Sequence, residues 1–334
     1  MRAMPLRLGL AGLGIHGVRY AEHLLRGDVP RAVLSAVSRQ DAAAGQAYAT
    51  AHGVVFVPDP QDLPEHPAVD AVVAVLPPDL HPGLARACLG RGKPVLIEKP
   101  LAADAASAAE MAALAEKTGI PLMVGHTLRF DPLVLRLKEL ARELGPLRLL
   151  AVNQRFEPTD RVWIDRPGPG GALLNTAVHG FDLMRFLTGS EPASVDALVE
   201  TVVTARTEDE VVALVRLVPG PILATLDNAR TTAGRSGRIE IVGERGQLVG
   251  DHVHRGLFRV RGRDQESLGL VPAIPTVAAA LSSFVDAVLD GTPVPCTAED
   301  GLQAVRMAEA ARRSAQTGRR THLSEVSAGA PPVR

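Results

Sequence analysis

Cysteine is nearly missing from this chain: Cys88 and Cys296 are the only two in 334 residues. They stand far apart and fit neither a disulfide framework nor a zinc-ligand spacing, which points to a reducing, cytoplasmic setting. An excess of either charge is missing too, since 36 Lys plus Arg face 37 Asp plus Glu, spread along the chain. Without a basic arm or stripe there is no footprint for nucleic acid, and a small-molecule substrate fits better. Long apolar runs are absent: the candidate around 70–80 is interrupted by Pro77 and Pro78, and the opening MRAMPLRLGLAGLG is broken by glycine before His16 and Arg19. Neither a membrane span nor a leader peptide is expected. No internal repeat is visible. His252 and His254 have no third ligand nearby, so no metal site is expected.

What is present is a change of rhythm. Short apolar runs at 6–11, 32–37, 71–76, 94–97 and 121–124 alternate with helical stretches at 18–26, 81–91 and 102–117. Runs of this kind read as parallel strands buried on both faces of a doubly wound α/β sheet. Beyond about Leu147 come longer segments rich in Val, Thr and Leu, at 195–206, 211–218, 222–229 and 239–249, with Pro219, Gly220 and Pro221 as a hairpin turn. These predict a large open, mainly antiparallel sheet in an α+β domain. Two helices follow, one with Leu281, Phe284, Val285 and Val288 at helical spacing, the other opened by Thr297 and Asp300 as a capping box. The expected domains are 1–125 for dinucleotide binding and 126–325 for substrate binding and oligomerisation, with late helices able to pack back on the first domain. A disordered tail is expected over 326–334.

Gly12, Gly14 and Gly17 spell GxGxxG directly after the first run and at the start of a helix. Glycines there allow a tight turn and let backbone N–H groups and the helix N-terminus approach a pyrophosphate, which predicts an N-terminal Rossmann domain. At the end of the second run, where an NAD site usually presents a carboxylate, stand Ser38 and Arg39. A guanidinium suits the 2′-phosphate of NADP, the expected cofactor, with NAD the alternative if Asp41 serves the ribose. Glu98, Lys99 and Pro100 close another run, putting a lysine at a strand's carboxyl end, able to donate to a reacting oxygen. Asn175, His179 and Asp182 follow at i, i+4 and i+7, on one face of a predicted helix. His179 is the candidate acid/base and Asn175 a partner for the same oxygen. Trp163, the only tryptophan, could stack on a sugar ring or pack as an anchor.

The motifs AGLGIHG, LPPDLHPGLARACLGRGKPVLIEKPL, VGHTLRFDP, GGALLNTAVHGFDL and IEIVGERGQLVGD occur in an order that resembles the Gfo/Idh/MocA oxidoreductases along nearly the whole chain. That resemblance implies Lys99 as the motif lysine, His179 as catalytic acid/base, and Arg129 near substrate. It also shows a departure, because Asn175 stands where the family commonly has aspartate, and an amide orients an oxygen without accepting a proton. The cofactor set is completed by Ile15 and His16 in the turn, Pro77, His81 and Glu98, with His126 near the nicotinamide and substrate. The function implied is hydride transfer between nicotinamide and a secondary alcohol or carbonyl of a sugar, inositol or related cyclic polyol. The alternatives are a dinucleotide sensor without turnover, or an enzyme using a tightly held cofactor for a net non-redox reaction. Homodimers or homotetramers through the C-terminal sheet are expected.

Overall fold

The computed structural model describes residues 4–159 and 162–326. The chain forms two compact units: one gathers the chain up to Ala102 with Ser107–Thr127 and Pro275–Leu302, the other Ala103–Ala106, Leu128–Ile274 and the chain from Gln303 onward.

In the first unit β1 (Leu6–Ala11), β2 (Ala32–Ser38), β3 (Val55–Phe56), β4 (Ala71–Ala74), β5 (Val95–Glu98) and β6 (Leu122–Gly125) make one six-stranded sheet in the order β3-β2-β1-β4-β5-β6, all pairs parallel. That is the dinucleotide-fold order, with its reversal beside β1. The helices α1 (Ile15–Arg26), α2 (Ala42–His52), α3 (His81–Gly90) and α4 (Ala105–Thr118) make the crossovers. Every residue of β4, β5 and β6 is buried, as strands covered on both faces must be, and this is why they read as unbroken apolar runs. The two-residue β3 is too short to leave a periodic signal.

The second unit holds α5 (Pro132–Ala141), β7 (Leu147–Arg155), α6 (Val178–Thr188), β8 (Glu191–Glu200), β9 (Glu210–Val218), β10 (Ile222–Ala229), β11 (Ser236–Gly243), β12 (Gly246–Asp251), β13 (Gly256–Arg261) and β14 (Asp264–Leu270). With β15 (Thr321–His322) these strands form a nine-stranded sheet, β14-β13-β12-β11-β7-β10-β9-β8-β15, antiparallel throughout except for the parallel pair β7 and β10. In β9, Val211, Ala213, Val215 and Leu217 are buried while Val212, Leu214, Arg216 and Val218 are exposed, so one face packs and the other does not. Helix α6 lies on the packed face against β7 and β10, and Gly180 sets how closely: a Cβ there would stand 2.1 Å from Leu226 Cδ1.

Two expected strands differ. The 195–206 segment ends as strand at Glu200, because the Asp209 carboxylate draws in the N–H groups of Val202, Val203 and Thr204 at 2.6–2.9 Å and curls the chain. The 239–249 segment is two strands, turned by Glu244 and Arg245 between β11 and β12. In the first unit, α7 (Thr276–Asp290) packs on α1, burying Leu281, Phe284 and Val285. The Thr297–Asp300 box opens α8 (Ala298–Thr317): Asp300 Oδ2 accepts from the Thr297 N–H at 2.8 Å, and the Asp300 N–H donates to Thr297 Oγ1 at 3.2 Å. Of the expected tail, Val326 is buried and 327–334 lie outside the described residues.

Candidate active site

The turn between β1 and α1 is built from close backbone approaches. Gly12 has φ +98°, and a Cβ on it would sit 2.2 Å from the Val75 carbonyl oxygen; one on Gly17 would sit 1.9 Å from that of Gly12. No side chain fits at either place. Gly14 differs, since nothing lies within 4 Å of its Cβ position. It N-caps α1 without a side-chain bond, and the first turn carries no acid, so the helix's leading N–H groups and positive dipole end stay available. This donor set fits a dinucleotide's diphosphate. Ile15 is 68% exposed beside it.

Glu98, at the end of β5, is buried and collects three donors. Its Oε1 lies 3.0 Å from His16 Nε2 and 2.5 Å from the Tyr20 hydroxyl, and its Oε2 accepts the Lys99 N–H at 3.0 Å. Burial alone would raise this carboxyl, but the His16 bond and charge, the Lys99 charge and the Tyr20 bond hold it at about 2. Glu98 is thus the hub that ties the glycine turn to the Lys99 strand end. Lys99 itself is half-buried, and the Lys99–Pro100 peptide is cis. His81 is fully buried, its Nδ1 3.0 Å from the Pro100 carbonyl and 3.2 Å from that of Leu101, its Nε2 3.0 Å from that of Leu76. Burial pushes its imidazole below the usual range, and its contacts lace the loop bearing half-buried Pro77 to the segment after Lys99. His126 is buried as well.

At the end of β2 the expected pair separates. Ser38 is buried and its hydroxyl donates to the Pro58 carbonyl at 3.3 Å. Arg39 is half-buried, and among the described residues it makes no hydrogen bond or ion pair. Asp41 caps α2, accepting from the Ala44 N–H at 3.0 Å.

In the second unit, Leu173–Ala177 winds as a π turn before α6 begins, so Asn175 and His179 straddle a change of helical pitch rather than one uniform helix. Such turns arise where a side chain enters the helical ladder, and here the Thr176 hydroxyl lies 3.1 Å from the Ala172 carbonyl and donates to Asn228 Oδ1 at 2.8 Å. The preceding turn is fastened by Glu208, whose Oε1 accepts the Leu173 N–H at 3.1 Å. Burial raises that carboxyl above its ordinary value. Asn175 is buried, and its Oδ1 accepts from Arg230 Nη1 at 2.6 Å, which turns the amide nitrogen the other way. Between 170 and 184 every residue is buried except His179. Arg230 also lines a cavity of about 330 Å³ with Asp165, Arg206 and Asp209.

Arg129 is committed within this unit. Its Nε and Nη2 donate to the Asp182 carboxylate at 2.6–3.1 Å, with both side chains buried, and its guanidinium lies 5.1 Å from the Phe186 ring centroid. Asp182 therefore anchors Arg129 rather than sharing a ligand-facing side with His179. Trp163 is half-buried in a turn over 162–165. No cluster of three or more metal-ligating side chains occurs among the described residues. Tyr20, Glu208, Asn228 and Arg230 are the supporting residues that sequence reasoning missed. Their partners lie roughly 35 to 78 positions away, beyond any local pattern.

Residues 6–126 match an oxidoreductase family with an NAD-binding Rossmann fold, and 134–249 match the Gfo/Idh/MocA C-terminal domain. Inositol 2-dehydrogenase 1 of Saccharopolyspora erythraea is 32% identical, covering 94% of this chain and 95% of its own. Myo-inositol 2-dehydrogenase of Thermotoga maritima is 29% identical, covering 96% and 99%. The structure of GenD2 from gentamicin A biosynthesis, in complex with NAD, superposes with a TM-score of 0.84 at 26% identity, covering 96% and 97%. Among the described residues, no helix is long and apolar enough to cross a membrane.

Proposed function

The chain belongs to the Gfo/Idh/MocA oxidoreductase family, and on that premise we propose that it oxidises a secondary alcohol of an inositol, sugar or related cyclic polyol, or reduces the corresponding carbonyl. The observation that carries the proton step is the environment of His179, the one residue between 170 and 184 that is half-buried rather than buried. The nicotinamide, when bound, supplies or accepts the hydride. The diphosphate is held by the turn Gly12, Gly14, Ile15, His16 and Gly17. In the oxidative direction His179 takes the hydroxyl proton while the Asn175 amide N–H donates to the oxygen, and in the first unit Lys99 is the proposed catalytic ammonium. Arg230 fixes the amide so that nitrogen rather than oxygen is offered, and this suits a position that lacks the family's common carboxylate. Substrate specificity falls to side chains such as Trp163. Arg129 contributes by shaping the helix it is bonded to.

NADP(H) is the proposed cofactor. Arg39 is the group that supports it, because Ser38 is spent on Pro58 and Asp41 on the cap of α2. An assembly of two or four copies through the outer face of the large sheet is also proposed. There Leu198 pairs with Val212 and Leu149 with Leu223, all exposed together with Leu214, and neighbouring exposed apolar side chains of this kind suit an interaction face. Light scattering at micromolar concentration should give a dimer or tetramer for the wild type and monomer for Val212→Asp/Leu214→Asp.

The deciding experiment incubates the protein with a panel of inositols and sugars and either cofactor while absorbance of the reduced nicotinamide is followed. Net oxidation or reduction supports this reading. Substrate conversion without net cofactor change would instead favour a tightly held cofactor in a net non-redox reaction, and binding with no conversion a sensor.

A further inference from the structure

Four consecutive residues of the second unit, Arg206 to Asp209, reach three separate parts of the candidate site. The Arg206 and Thr207 N–H groups both donate to Asp165 Oδ1, at 2.7 and 3.1 Å, and the Thr207 hydroxyl donates to the Ile164 carbonyl at 3.0 Å. Ile164 and Asp165 are the residues that follow Trp163 in its turn. Next in line, Glu208 grips the run before Asn175: its carbonyl accepts the Ala172 N–H at 2.7 Å and its Oε1 the Leu173 N–H at 3.1 Å. The Asp209 carbonyl then accepts the Arg230 N–H at 2.9 Å, and Arg230 Nη1 donates to Asn175 Oδ1 at 2.6 Å.

The fit leaves little slack. Gly171, at φ +87°, lies so close under the Glu208 carboxylate that a Cβ on it would collide with Oε1. Its N–H donates to the Ile164 carbonyl at 2.7 Å and its carbonyl accepts the Asn175 N–H at 2.9 Å, so the Trp163 turn and the π turn are bonded to each other as well as to one common segment. Thr207 and Asp209 are buried, and the Asp209 carboxylate, occupied by the N–H groups of Val202, Val203 and Thr204, fixes the chain entering that segment. Arg312 Nη2 stands 3.9 Å from Glu208 Oε1 and balances its charge.

We propose that residues 206–209 form a positioning clasp for the substrate: through Asp165 the clasp sets Trp163, which meets the ring of a cyclic polyol, and through Glu208 it sets Asn175, which meets the reacting oxygen. This rests on Trp163 and Asn175 contacting the polyol. Asp165 and Glu208 are positioning residues, each acting through the side chain it holds. Their two arms are separable because their contacts are. Loss of Asp165 loosens the ring contact, which exists before and during reaction alike, so it falls on binding. Loss of Glu208 moves the amide away from the oxygen on which charge develops, so it falls on turnover.

Trp163 is the sole tryptophan, so intrinsic fluorescence reports its turn alone. Emission, unfolding midpoint, kcat and KM are measured for the full chain with myo-inositol, or with whichever polyol of the panel is turned over fastest. Asp165→Ala should red-shift the emission and raise KM about tenfold with kcat nearly unchanged, and Asp165→Asn, which keeps an acceptor oxygen, should restore both. Glu208→Ala should lower kcat roughly 10²-fold with emission unchanged, and Glu208→Gln, which also keeps an acceptor, should restore most of it. Where Glu208→Ala does not fold, Glu208→Asp, one methylene shorter, is the displaced form and should show the same loss. Lowered midpoints with wild-type kcat and KM would make the segment a structural fastening only and overturn the clasp. Unchanged KM in Trp163→Ala also overturns it, while polyol oxidation stands. Absence of turnover by wild type across the whole panel overturns the polyol reading and the clasp together.

Discussion

At the glycine turn of the first unit the close approaches are made by the backbone, whereas at the π turn of the second unit the polar groups are side chains held by other side chains. Gly12 and Gly17 leave no room for a Cβ, and no side chain caps the first N–H groups of α1. Asn175 and His179, by contrast, depend on Arg230, Thr176, Asn228 and Glu208 for their setting. The difference teaches how each could change. A backbone site tolerates drift in surrounding side chains as long as the glycines persist; a side-chain site can be retuned by one substitution.

The comparison breaks most sharply at the chemistry. Replacing His179 or Lys99 with alanine should lower kcat by roughly 10²–10⁴-fold with cofactor affinity nearly unchanged. Near-normal turnover of His179→Ala would remove it from the mechanism and leave the π turn as scaffold.

Next comes the ion pair beneath it. Arg129→Ala leaves the buried Asp182 carboxylate without its guanidinium and should cost about 3–5 kcal/mol in denaturant unfolding, whereas Arg129→Met with Asp182→Leu should recover most of that. A residue acting mainly on substrate would instead raise KM and leave the unfolding midpoint in place.

Glu98 carries the corresponding buried charge of the first unit. Its folded value of about 2 lies below the ordinary 4.5. The stability it contributes, at most about 3 kcal/mol, is therefore full above pH 4.5 and lost as pH falls toward 2. Glu98→Gln should flatten that part of the stability profile; an unchanged acid limb would show that another carboxylate sets it.

Smallest is the choice of cofactor. Arg39→Ala should weaken NADPH binding roughly 10- to 150-fold and leave NADH binding nearly unchanged, since one charge-assisted bond contributes about 1.5–3 kcal/mol. Equal weakening of both cofactors would show that Arg39 does not read the 2′-phosphate.

Most of the first unit was legible because its signals are local. Strands buried on both faces must be apolar runs, and a turn around a diphosphate must be glycine at fixed spacing, so β1, β4, β5 and β6 and the GxGxxG turn stand out. The second unit was legible in class only. The division between β11 and β12, and the curl after β8, turn on Gly246 at φ +137° and on the Asp209 carboxylate, neither of which disturbs the apolar pattern.

The sequence by itself determined the doubly wound sheet, the mainly antiparallel second sheet, the glycine turn and the family, since each follows from periodicity or from motifs in order. Tertiary structure alone decided what the polar residues are for: that Glu98 gathers His16 and Tyr20, that Ser38 turns to Pro58 while Arg39 has no partner among the described residues, that Arg129 serves Asp182, and that Arg230 orients Asn175. The physical reason is that a buried polar atom must find a partner wherever the fold brings one, and that partner's position along the chain carries no trace of the pairing.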